Sequence, residues 1–117
     1  MKKGSIKNNR INMEVQRALS EIIRSKMKDP RISPMTSVTD AIVTADLKYC
    51  TAYISVLGGS EEETLAGLKS AAGFIRSQLA QTVNLRITPE IRFVLDKSME
   101  HGMHIESLLK QIKEDQN

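Results

Sequence analysis

Lysines and arginines crowd the front of this chain. Lys2, Lys3, Lys7 and Arg10 come before any acidic residue, and Arg17, Arg24, Lys26, Lys28 and Arg31 follow. Only Glu14, Glu21 and Asp29 oppose them in that stretch. Ammonium and guanidinium groups neutralise phosphates, so a one-sided basic distribution is the footprint of a polyanion partner. A solvated helix face has the same composition, and charge alone does not separate the two. Net charge is only +3, so the argument rests on where the charges sit. The acids gather at Glu61, Glu62, Glu63 and the C-terminus.

Other chemistries find less support. His101 and His104 are spaced to share a helical face, but a zinc site needs three or four ligands. Cys50, the only cysteine, falls on a core-facing strand position and is a poor third ligand. A buried thiol is also inert as a nucleophile. Glu61–Glu63 suit a helix start better than acid–base work. No glycine-rich phosphate loop with Lys-Ser/Thr is present. The expectation is therefore no enzyme, no metal, no cofactor and no small-molecule substrate. One cysteine allows no intrachain disulfide, which fits a reducing cytoplasm. No apolar run approaches the roughly 20 residues that span a bilayer, and no apolar stretch follows the basic N-terminus as in a secretory signal.

The elements that must hold these groups are legible. At 117 residues, 40% hydrophobic and 26% charged, the chain reads as one domain with one core. Ile11, Val15, Leu19, Ile22, Ile23 and Met27 form one apolar stripe, so a helix precedes Pro30, with Asn8 or Asn9 as its cap. Residues 35–59 are rich in Thr, Val, Ile and Tyr and read as two strands broken at Asp46. On the second, Cys50, Ala52, Ile54 and Val56 alternate with Tyr49, Thr51, Tyr53 and Ser55. On the first, Ala41 and Val43 compete with Val38 and Ile42 for the core face. Ser60 caps the next helix, with Glu63 at capping-box spacing. Leu65, Leu68, Ala72, Ile75 and Leu79 carry its apolar face. A third strand follows Pro89, with Ile91, Phe93 and Leu95 inward, and Phe74 joins the core. Met103, Ile105, Leu108, Leu109 and Ile112 mark a last short helix. The strand–helix–strand unit requires a parallel pair, and the preceding strand an antiparallel one.

Gly73 interrupts the helical segment 61–82, where it costs about 1 kcal/mol relative to Ala. Close packing, chance tolerance and a break between two helices compete as explanations. The first two leave a single helix. A break gives helix, strand, strand, helix, helix, strand, a layout that resembles the type II KH domain. In place of that domain's G-x-x-G loop stand Ala71, Ala72 and Gly73. With this segment the chain is similar to the bacterial ribosome-binding factor A family, which has an Ala-x-Gly kink there. "KDPRI" (28–32), "MTSVTDAIVTADLKY" (35–49), "AAGFIRSQL" (71–79), "LRITPEIRFVLDKS" (85–98) and Gly102-Met103 carry the resemblance.

The resemblance implies an α+β fold, a single KH type II-like domain over 1–117. It has a three-stranded mixed sheet, helices on one face, a basic flexible arm over 1–8 and a frayed tail over 113–117. It also implies a cytoplasmic, non-catalytic assembly factor that binds free or immature 30S subunits and supports late 16S rRNA maturation, especially in the cold. The free protein is expected to be monomeric. With two tyrosines and two phenylalanines the chain lacks a base-stacking platform, so RNA contact falls to basic side chains. The candidates are Lys2, Lys3, Lys7, Arg10, Arg17, Lys28, Arg31, Arg76 and Arg86, with Ala71–Gly73 as the interhelical kink. The competing reading is a protein-interaction or dimerisation module docking through an open sheet edge. A kink at Gly73 implies that Gly73→Ala destabilises, through positive φ or through overpacking.

Overall fold

The apolar stripe of the first segment winds into α1, Ile6–Lys26, in the computed structural model, which describes residues 6–98 and side chains from Asn9 onward. Val15 and Leu19 are fully buried, and Ala18, Ile22 and Ile23 nearly so. The helix starts earlier than expected. Asn8 and Asn9 lie inside it rather than capping it, and residues 6–8 belong to the helix rather than to an arm. Polar residues flanking the stripe tie it to the sheet. Asn12 Oδ1 accepts from the Val43 amide at 2.8 Å, and Gln16 Nε2 donates to the Val38 carbonyl at 2.8 Å.

Strands β1 (Met35–Val43) and β2 (Tyr49–Leu57) pair antiparallel, from Met35 opposite Leu57 to Val43 opposite Cys50. A bulge between Val38 and Asp40 resolves the ambiguous phase of β1. Thr39 is the extra residue, so Val38 on one side and Ala41 and Val43 on the other all face the core, while Ile42 points outward. On β2, Cys50, Ala52 and Ile54 are fully buried, as alternation requires. The connecting turn is held by Asp46, whose carboxylate accepts from the Lys48 amide at 3.0 Å and the Thr44 hydroxyl at 2.7 Å. Within it Leu47 has φ 66°, the only described non-glycine residue in the left-handed region. Strand β3 (Glu90–Leu95) pairs parallel to β2, with Tyr49 opposite Glu90 and Ile54 opposite Leu95. The sheet order is β1–β2–β3.

Two helices make the return from β2 to β3. Helix α2 (Glu61–Ser70) begins with Ser60 Oγ accepting from the Glu63 amide at 3.1 Å. Helix α3 (Ala72–Thr82) follows after a single residue. The break is therefore at Ala71, two residues before Gly73. Ala71 has φ −94° and ψ 6°, and its amide is shared between the Gly67 and Leu68 carbonyls at 3.1 Å each. Gly73 has neither positive φ nor a close neighbour; it is exposed in the first turn of α3. Phe74 is likewise outside the core, at 46% exposure. Leu68, Ile75, Leu79, Ile91 and Phe93 complete the core between helices and sheet. The last helix and the tail, with His101 and His104, lie outside the described residues.

The tight glycine is Gly67. A Cβ built there would stand 2.7 Å from Ile32 Cγ1 and 3.5 Å from Arg31 Cβ. Ile32 is buried and β-branched and has little room to yield. Gly67→Ala is expected to cost about 1–3 kcal/mol through overpacking. Gly73→Ala is expected to gain up to about 1 kcal/mol from helix propensity, reversing the expectation drawn from a kink at that residue. Urea melts of both variants check this; a stabilised Gly67→Ala or a strongly destabilised Gly73→Ala would contradict the packing described.

Candidate nucleic-acid interface

Seven residues are close to two helical turns, so Arg10, Arg17 and Arg24 rise along one side of α1. This side meets the connection from α3 to β3. There Arg10, Ile11 and Glu14 of α1, Ala45 and Leu47 of the β1–β2 turn, and Asn84, Leu85 and Arg86 enclose a groove of about 470 Å³. One turn further, Arg17 shares a shallower hollow with Glu14, Glu21, Val83 and Asn84. Three of the expected cations, Arg10, Arg17 and Arg86, thus converge around Asn84. Arg10 lies 3.6 Å from Glu14, but the two side chains are 84% and 49% exposed. Such a surface pair is weakly held, so the guanidinium is easily recruited by an anion.

The other expected residues are placed differently. Lys28 stands apart, in a hollow of about 370 Å³ with Arg24, Asp29 and Pro34 where α1 gives way to β1. Arg31 is clamped. Its Nη2 donates to Asp29 Oδ2 at 2.6 Å and its Nε to Oδ1 at 3.1 Å, while its amide also donates to Oδ1 at 2.9 Å. These side-chain and backbone hydrogen bonds, reinforced by charge, pull the Asp29 carboxyl down to about 2. Arg76 reaches from α3 to the Thr88 carbonyl, with Nε at 3.1 Å and Nη2 at 2.9 Å, and so anchors the segment leading into β3. Lys7 lies in the first turn of α1, and Lys2 and Lys3 lie outside the described residues. At Ala71–Gly73 the backbone turns from α2 into α3, with Phe74 exposed beside it.

Arg24 and Asn84 were absent from the expected set, although the seven-residue spacing of Arg10, Arg17 and Arg24 was visible. The open face of the sheet collects Ile42, Tyr49, Tyr53, Arg92 and Val94, with the Arg92 guanidinium 4.3 Å over the Tyr49 ring. That cation covers the ring face a base would use. Burial pushes the Cys50 thiol up to about 12, so it carries no thiolate at neutral pH. Among the described residues no His/Cys/Asp/Glu cluster could hold a metal, and no helix is long and apolar enough to cross a membrane.

With this geometry in view, comparison with known proteins gives a consistent result. The family model for ribosome-binding factor A matches residues 7–109. A ribosome-binding factor A from Lachnospira eligens is 59% identical, over 100% of this chain and 92% of that protein. The solution structure of a ribosome binding factor A homologue from Thermotoga maritima is 31% identical, with a TM-score of 0.69 over 84% of this chain and 94% of that one. Thermus thermophilus ribosome binding factor A, as fitted into a cryo-EM map of a 30S complex, is 24% identical; its TM-score is 0.63 over 74% of this chain and 91% of that chain, a likeness of fold.

The Asp29–Arg31 clamp makes a pH prediction. A carboxyl depressed in the folded state contributes stability above its unfolded value, near 4. That contribution disappears as pH falls through about 2. In a carboxyl NMR titration Asp29 should titrate near 2, and in Arg31→Ala it should return toward about 4. An unchanged value in the variant would show that Arg31 is not the cause.

Proposed function

The chain belongs to the ribosome-binding factor A family, and from that premise we propose that it is a non-catalytic assembly factor for the small ribosomal subunit. It binds free or immature 30S subunits, supports late maturation and processing of 16S rRNA, especially in the cold, and acts as a monomer in the cytoplasm without a cofactor. The names of its relatives support ribosome binding, and the 30S complex of the Thermus protein supports the small subunit as partner.

The observation that carries the RNA contact is the convergence of Arg10, Arg17 and Arg86 on the side of α1 that faces the α3–β3 connection. Three guanidinium groups, two from α1 and one from the α3–β3 connection, suit a folded phosphate backbone, where position matters more than base identity. Arg31 and Arg76 contribute less, because Asp29 and Thr88 already occupy their donors. Docking along the edge of β1 is less favoured, since Asn12 and Gln16 already bond the backbone of that strand.

Sucrose-gradient fractionation should find the protein with free small subunits and not with polysomes. Absence from the small-subunit fraction at low salt would contradict the proposal. Changing Lys2, Lys3 and Lys7 to Glu should weaken subunit binding without unfolding the protein. Each lost phosphate contact should lower the slope of log affinity against log salt by about 0.7–0.9. An unchanged slope would remove the N-terminal lysines from the interface.

A further inference from the structure

We propose that the groove between α1, the β1–β2 turn and the α3–β3 connection holds one unpaired RNA nucleotide, with its phosphate between Arg10 and Arg86 and its base on Ile11, Leu47 and Leu85. The inference rests on the RNA-binding reading above and adds what that surface recognises. At about 470 Å³ the groove falls within the usual size range of small-ligand sites. Its lining is divided. Two guanidinium groups flank it, four aliphatic residues line it, and Glu14 and Asn84 add polar groups. Free phosphate would leave the aliphatic surface uncovered. An apolar ligand would leave Arg86 and the weakly held Arg10 guanidinium unused. A nucleotide satisfies both, because it joins an anion to a flat, weakly polar ring. Asn84 carries both a donor and an acceptor for a base edge, and Glu14 accepts from an exocyclic amine. In a duplex the base is stacked and paired, so the occupant must be single-stranded or splayed out.

A second observation points to the same place. Leu47, whose side chain lines the groove, is the described non-glycine residue held at positive φ, 66°. The turn enforces this conformation: the Leu47 amide donates to the Thr44 carbonyl at 2.9 Å, and Asp46 holds the residues on either side. Leu47 is buried in the core cluster and also lines the cleft, so the turn that holds it at this φ fixes one apolar wall of the groove.

The probe is a short uridine ribo-oligonucleotide carrying one central 2-aminopurine, titrated at low salt against the whole protein. Binding should change the 2-aminopurine emission, and the same sequence in a duplex should bind more weakly and show no change. Arg10→Gln with Arg86→Gln should weaken binding about tenfold and lower the salt slope by about 0.7, one phosphate contact. Leu85→Asn should remove the emission change and weaken binding about tenfold at an unchanged salt slope, while Leu85→Met keeps both. Leu85 is only partly buried, which favours a folded variant; Ala45→Leu, which narrows the groove from the turn, serves where Leu85→Asn melts early. Equal binding of single strand and duplex, or binding without an emission change, would overturn the nucleotide pocket. If small subunits still bind in a salt-dependent way, the general RNA reading survives that result. Failure of the protein to bind either oligonucleotide or subunit overturns both.

Discussion

Parallel pairing of β2 with β3 is the constraint on which the rest of the structure depends. It puts Glu90 beside Tyr49, so the chain must leave the end of β2 at Leu57 and return over the sheet to where β2 began. The return is made by α2 and α3, joined at Ala71. Helix α2 packs against β3, and α3 packs against both β3 and α1. The end of α3 therefore arrives beside α1 and the β1–β2 turn. That arrival sets Asn84, Leu85 and Arg86 opposite Arg10 and Ile11. The groove is a consequence of topology before it is a matter of side chains.

A second fixture welds the α1–β1 connection to α2. Ile32 lies on Gly67, and the Ser33 amide donates to buried Thr64 Oγ1 at 3.2 Å. Ser33 Oγ donates to the Leu57 carbonyl at 2.7 Å, reaching the end of β2. Gly59 belongs to the same contact, since a Cβ there would come within 2.8 Å of Ser33 Cβ. Arg31 and Asp29 are bound up in this structure, which accounts for an exposed arginine contributing little to the basic surface. The division between structural and available cations thus follows from local geometry: Arg31 is held by the Asp29 carboxylate and Arg76 by the Thr88 carbonyl, whereas Arg10, Arg17 and Arg86 line open hollows.

What the sequence revealed and what it concealed follow one physical line. Single-period patterns were legible: the stripe of α1, the alternation of β2 and the Ser60 cap each depend on neighbours a few residues away. The phase of β1 was not, because the bulge at Thr39 makes Val38 face the core with Ala41 and Val43, the whole of one competing pattern and half of the other. A break between two helices was foreseen, but the glycine misplaced it. Alanine tolerates the φ and ψ found at Ala71, so no special residue was needed there. The glycines required by packing are Gly59 and Gly67, whose neighbours Ser33 and Ile32 are distant in sequence. The same distance hid the roles of Asn12 and Gln16, each bonded to the backbone of β1, and of Arg76, bonded to the connection before β3. Of the candidate site, residue types were legible, but which cations share a surface required the crossover.

The most direct test of the account is hydrogen exchange on the protein bound to small ribosomal subunits. The convergent surface predicts protection of the first turns of α1, the turn 44–48 and the connection 83–87, with the open sheet face around Tyr49, Tyr53 and Arg92 exchanging as in the free protein. Protection confined to that sheet face, with α1 and residues 83–87 unchanged, would contradict it.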